Sequence, residues 1–116
     1  MADSYQIGQE RTAGETATLL RVTGELDIDA RDDLYDAIVA ALNVGDVVVD
    51  LAGVTFIDSE ALGALIESYN LAQARDVDFR VVNPRGLVDR VLTVSGAMDL
   101  FGRREFEDGS AGNRRA

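Results

Sequence analysis

Asp46-Val47-Val48-Val49-Asp50-Leu51, followed from Ser59 by a helical stretch to about Ala74, decides the fold. The run is short, β-branched and nearly continuously apolar after Gly45, the pattern of a central strand covered on both faces. Ala52 to Asp58 reads as the connection leaving that strand. From Ser59 onward, Leu62, Leu65 or Ile66, Tyr69 and Ala72 recur at helical spacing and form one apolar stripe. A buried strand leading through a short connection into an amphipathic helix is half of a βαβ unit, so the sheet is expected to be parallel at its centre.

Working outward, Asp78-Phe79-Arg80-Val81-Val82 reads as the next strand. Asn83 as N-cap and Pro84 in the first turn open a helix whose Leu87, Val88, Val91 and Leu92 face inward until Ser95-Gly96 stops it. Leu100-Phe101 is a short last strand or an apolar plug. Towards the N-terminus, Asp29 is the expected cap of a helix from about Ala30 to Leu42, with Leu34, Ile38 and Ala41 or Leu42 on one face. Tyr5 to Arg11 and Thr16 to Thr23 read as strands joined by a turn containing Gly14. The order β-β-α-β-α-β-α predicts a single α/β domain with a mixed sheet, an antiparallel hairpin at one side and parallel right-handed crossovers in the centre. We expect residues 5–107 to form it, with 1–4 and the polar tail 108–116 disordered.

Composition removes whole classes of chemistry. The 116 residues carry a net charge of −10, with 21 acids against 11 basic residues, every one of them Arg. This balance opposes nucleic acids and anionic membranes and favours a partner with a basic face. His, Cys and Lys are absent, which excludes imidazole and thiolate catalysis, zinc sites, disulfides, Schiff bases and a P-loop. Neither a membrane span nor a signal peptide is legible, so the expected location is the cytoplasm. No catalytic residue, metal site or cofactor is expected. The strand ending Val47-Val48-Val49-Asp50 suggests a phospho-aspartate receiver, an enzyme-class rival that fails for want of the lysine that contacts the phosphoryl group.

In open α/β sheets, sites gather beyond the carboxyl ends of central strands, where helix N-termini point their free N–H groups outward. Two loops are expected there: Thr23-Gly24-Glu25-Leu26-Asp27 and Phe56-Ile57-Asp58-Ser59-Glu60-Ala61-Leu62-Gly63. A phosphate on a hydroxyl in the first helical turn would sit in the positive end of the helix dipole, and here Asp58 and Glu60 would make the modified patch strongly acidic. By position alone, Asp58 or Ser59 reads equally as a plain helix cap, Gly24 as a turn residue, and Gly63 as a point of close helix approach.

The strings VTGELD, VVVDLAGVTFIDSEALGAL and FRVVNPRGLVDRVLTVSGAMDLF, in this order and spacing, resemble the STAS domain of anti-sigma factor antagonists over nearly the whole chain, roughly Tyr5 to Phe106. The resemblance implies that Ser59, directly after Asp58, is the phosphoacceptor of an anti-sigma factor that doubles as a serine kinase. It also implies that Asp27 lies beside Ser59 and helps to dock the kinase, within a partner-binding surface of Thr23, Gly24, Glu25, Asp27, Asp58, Glu60, Leu62 and Gly63. Unphosphorylated, such a protein captures the anti-sigma factor and frees a sigma factor; phosphorylated, it lets go, and a serine phosphatase resets it. The implied state is a monomer or weak dimer, and a constitutive STAS scaffold not regulated by phosphorylation is the alternative. Glu60 and Ala61 depart from the family pattern, which has a small polar residue and Gly at these positions.

Overall fold

Three stretches of β-branched and aliphatic residues pair in parallel, and a fourth adds an antiparallel edge. The computed structural model describes residues 4–11 and 17–101. Its elements are β1 (Tyr5–Arg11), β2 (Thr18–Leu26), a 3₁₀ turn (Ile28–Ala30), α1 (Arg31–Leu42), β3 (Val47–Ile57), α2 (Ser59–Arg75), β4 (Phe79–Val82), α3 (Gly86–Val94) and α4 (Ala97–Phe101). The sheet order is β1-β2-β3-β4, with β1 antiparallel to β2 and the other pairs parallel. This is the mixed α/β architecture expected. The turn at Gly14, the strand start at Thr16, and the assignments for residues 1–3 and 102–116 lie outside the described residues.

Two strands are longer than expected. β2 continues through Gly24, Glu25 and Leu26, and β3 through Ala52 to Ile57, so most of what reads as loop in the sequence is paired backbone. The pairing tolerates two irregularities: Arg21 lies opposite Asp50 but Thr23 opposite Gly53, and Gly24 lies opposite Val54 but Glu25 opposite Phe56. At each step β3 advances one residue more than β2, the mark of a bulge, and bulges break the alternation that would announce a strand. Asp50 therefore stands in mid-strand. Its carboxylate accepts the Ala52 N–H at 2.9 Å and the Asn83 amide at 3.3 Å, unlike an acceptor exposed at a strand end.

The central strand is covered on one face rather than two. Val47, Val49 and Leu51 are buried while Val48 and Asp50 are half-buried, and the same alternation runs through Leu20, Val22, Phe79 and Val81. Burial with period two follows when helices cover a single face of a sheet. Here that layer contributes Leu34, Ile38, Leu65, Val88, Leu92 and Phe101. Phe101 belongs to a helical turn, not a strand. It plugs the core edge-on to Phe79, ring centroids 5.9 Å apart, with Tyr69 at 6.0 Å on another side.

The helices depart from the expected pattern in instructive ways. The deepest stripe of α2 is Ala61, Ala64, Leu65, Ser68 and Ala72, whereas Leu62, Ile66 and Tyr69 are half-buried. Small side chains let α1 approach α2 closely, and hydropathy underrates them. Ser68 is tolerated because its hydroxyl donates to the Ala64 carbonyl at 2.8 Å. α3 begins at Gly86 with Arg85 at the N-cap position, not Asn83. Asn83 adopts φ +60°, a left-handed conformation outside the extended region that an N-cap occupies. This turn rotates α3 so that Val88 and Leu92 are buried, Val91 is half-buried and Leu87 faces solvent.

Candidate functional site

β2 and β3 run side by side and end together. Leu26 and Ile57 are paired and buried, and the Asp58 N–H donates to the Leu26 carbonyl at 3.0 Å. The next residue of each strand is an aspartate, and each aspartate starts a helix. Asp27 Oδ1 accepts the Asp29 N–H at 3.1 Å and caps the 3₁₀ turn, so Asp27 rather than Asp29 is the cap that leads into α1. Asp58 Oδ1 accepts the N–H groups of Glu60 and Ala61, both at 3.0 Å, and caps α2. The bulges in β3 bring these two caps level, which the spacing of the sequence does not reveal.

Because Asp58 is the cap, Ser59 is not. It is the first residue of α2, it is exposed, and its hydroxyl has no hydrogen-bond partner among the described residues. A serine acting as a cap would have its oxygen occupied by backbone N–H groups. This hydroxyl is free to react or to bind. It also lies at the positive end of a 17-residue helix, where a negative charge is favoured.

The other residues singled out in the sequence divide into two groups. Asp27, Asp58, Ser59 and Glu60 stand together at the strand ends, and Leu62 and Gly63 continue from them, half-buried, along α2. Glu25 is exposed and paired with Phe56 just behind that edge. Thr23 and Gly24 lie further back inside the sheet, opposite Gly53 and Val54, and Gly24 has a backbone role. Its φ is +96°, and a Cβ there would fall 2.1 Å from the Ser4 carbonyl oxygen, which accepts the Glu25 N–H.

Gly63 is not a point of close helix approach, since a Cβ on it would meet nothing within 4 Å. Gly63→Ala is expected to stabilise the fold by about 0.5–1 kcal/mol, the helix-propensity gain of Ala over Gly, read as a higher urea midpoint. A lower midpoint would show a packing constraint there. If a partner side chain packs over Gly63, the same variant binds that partner more weakly while being more stable.

Two residues at this edge, Ile28 and Arg31, have no part in the sequence reading, and Phe56 enters it only as the start of a loop. Ile28 is 62% exposed and Phe56 39%, an apolar presence within an otherwise acidic edge. An apolar residue isolated among acids was the available signal for Ile28. Arg31, the first residue of α1, joins the two helices. Its Nη2 donates to both oxygens of Glu67 at 3.1 and 3.2 Å, its Nη1 donates to Asp32 at 3.0 Å, and its Nε lies 3.7 Å from Glu60. The hydrogen bond to Asp32, and then the charge of Glu67, hold the guanidinium above its ordinary pKa. Nothing local announces Arg31, because its α2 partners are remote in sequence.

Among the described residues no group of His, Cys, Asp and Glu is placed to hold a metal ion, and no helix is long and apolar enough to cross a membrane. The arrangement is an acidic, partly apolar edge on which the Ser59 hydroxyl is free, suited to contact with a macromolecule.

Comparison with known proteins matches residues 9–103 to the family model described as "Mlab, STAS domain". No curated protein matches the sequence. Among solved structures, an anti-sigma factor antagonist from Mycobacterium paratuberculosis is 25% identical, with 85% of this chain and 84% of that one covered and a TM-score of 0.75. The anti-sigma factor antagonist SpoIIAA in its unphosphorylated form is 20% identical over 92% of this chain and all of its own, with a TM-score of 0.71. The phosphorylated form of the Bacillus cell fate determinant SpoIIAA is 18% identical over 90% of this chain and all of its own, with a TM-score of 0.66. The likeness to the two SpoIIAA structures is one of fold.

Proposed function

Because this chain belongs to the STAS domain family, we propose that it is an anti-sigma factor antagonist switched at Ser59. In this reading it captures an anti-sigma factor that is also a serine kinase and so releases a sigma factor. Phosphorylation of Ser59 ends the capture, and a serine phosphatase restores it. The observation that carries the reading is the Ser59 hydroxyl, exposed on the first residue of α2 and left without a partner because Asp58 has taken the capping role. The likeness to the Mycobacterium paratuberculosis antagonist gives it further support.

The mechanism is a change of local charge. Asp27, Asp58 and Glu60 already make the strand-end edge acidic, so a capturing partner must present basic groups around an apolar centre that meets Ile28 and Phe56. A phosphate adds roughly −1.5 to −2 charges at the middle of that contact, and hydration of a dianion opposes its burial there. The protein itself performs no catalysis in this scheme; the kinase supplies the chemistry and α2 supplies a reactive, accessible hydroxyl. We place this exchange in the cytoplasm, with the antagonist as a monomer or weak dimer.

Incubating the protein and Ser59→Ala with the cognate kinase and ATP tests the assignment. Phosphate should enter the first and not the second. Equal uptake by both would remove Ser59 from the mechanism and leave a constitutive STAS scaffold.

A further inference from the structure

The Arg31 guanidinium is hydrogen-bonded to two of its three acidic neighbours and only ion-paired with the third. Nη1 is committed to Asp32 and Nη2 to both oxygens of Glu67, contacts that fix the plane of the group across the α1–α2 junction. Nε is different. It lies 3.7 Å from Glu60, an ion-pair distance too long for a hydrogen bond, and Nε donates no hydrogen bond among the described residues. Glu60 directly follows Ser59 on the first turn of α2. An oriented donor with no hydrogen bond, on a permanent cation, therefore lies against the residue adjoining the free hydroxyl.

We propose that Arg31 is the cation that receives the phosphate when Ser59 is modified, offering Nε–H to a phosphate oxygen and holding the modified side chain against the start of α2. The inference rests on the reading of Ser59 as a phosphoacceptor. Charge at this end of the molecule supports it. Asp27 and Asp58 cap the 3₁₀ turn and α2, Asp29, Asp32 and Asp33 stand in the 3₁₀ turn and the first turn of α1, Glu60 in the first turn of α2, and Glu67 two turns further along it. Arg31 is the one basic residue in those first turns. A dianion placed at this acidic end needs a counter-charge, and a planar guanidinium whose Nε makes no hydrogen bond suits phosphate better than a point charge does. Asp32 and Glu67 act as positioning residues, because they set the direction of Nε without touching the phosphate.

The phosphorylated state is then a particular conformation as well as a charge. A phosphate tied back to α1 is presented as a fixed feature, which a phosphatase must displace Arg31 to reach.

The test uses the full chain with phosphoserine installed at position 59 during synthesis, so that no kinase is required. The second ionisation of the phosphate, followed by ³¹P NMR against pH, should occur about half a unit lower in this protein than in Arg31→Gln, because a nearby cation favours the dianion. Arg31→Lys should recover part of that difference, retaining the charge but not the fork. If Arg31 merely tied α1 to α2, Arg31→Gln would lower the melting temperature and leave the phosphate ionisation unmoved, and that result would overturn the proposal. Partner affinity of the same phosphorylated protein reports on the switch separately. Undiminished affinity alongside a shifted phosphate ionisation would refute the Ser59 switch while upholding the Arg31 contact.

Discussion

Ser59→Asp is expected to weaken capture of the anti-sigma factor by about tenfold or more, equivalent to roughly 1.4 kcal/mol, while Ser59→Ala binds as the parent does. The size of the effect follows from where the charge is placed. Ser59 stands between Asp58, whose Oδ1 is occupied by two backbone N–H groups, and Glu60. A carboxylate there must be desolvated within the contact and adds to an already acidic edge, and mismatched charge in a buried contact costs several kcal/mol. The fold should not suffer. A negative charge at the first residue of a helix is favoured by about 0.3–1 kcal/mol, so the melting temperature of Ser59→Asp should equal or exceed that of the parent. Loss of affinity can then be assigned to the interface rather than to unfolding. Isothermal titration of parent, Ser59→Ala and Ser59→Asp against the purified partner is the measurement. Equal affinities for all three would reject the switch and leave a constitutive binding domain.

The largest effect on stability is expected at Gly24. Gly24→Ala should lower the free energy of unfolding by about 3 kcal/mol, from two separate causes. Alanine resists φ +96°, at a cost of about 1–3 kcal/mol, and its methyl group would occupy the space of the Ser4 carbonyl, 2.1 Å from the ideal Cβ position. Relief requires the start of β1 to move away. That movement gives up the hydrogen bond from the Glu25 N–H to Ser4 at 2.8 Å and disturbs the Tyr5–Gly24 pairing. Chemical denaturation reads the cost, and hydrogen exchange locates it: faster exchange confined to β1 and the Glu25 amide is the expected pattern. A variant as stable as the parent would show that β1 adjusts freely. The contrast with Gly63→Ala, expected to stabilise, shows that two glycines alike in sequence can play opposite roles.

How much of this was legible beforehand depends on the range over which the relevant force acts. The Val47-Val48-Val49 run, the amphipathic period of α1 and the start of α2 at Ser59 are local, and they place the strands and helices in order. Absence of Cys, His and Lys restricts chemistry regardless of fold. The resemblance to STAS domains drew attention to Ser59 and Asp27. Asp58 as the cap of α2, leaving Ser59 unpaired, was one of two readings that the sequence left open, and only hydrogen-bond geometry separates them.

What required the tertiary structure was non-local. β3 continues to Ile57 because the end of β2 is available for pairing, and its bulges are accommodations between two strands with no signature in either. The cap of the helical segment after β2 moves from Asp29 to Asp27 because β2 ends at Leu26, and Leu87 turns outward because the left-handed Asn83 resets the entry angle of α3. Arg31 acquires its meaning only when α1 packs on α2 and brings Glu60 and Glu67 within reach. Sequence alone thus determined the order of the elements and the excluded chemistries, set by composition and short-range preference, and its resemblance to a family pointed to the serine of interest. Tertiary structure decided which strand ends coincide, which aspartate caps which helix and which cation joins the first turns of α1 and α2, because those depend on contacts between residues that only folding makes neighbours.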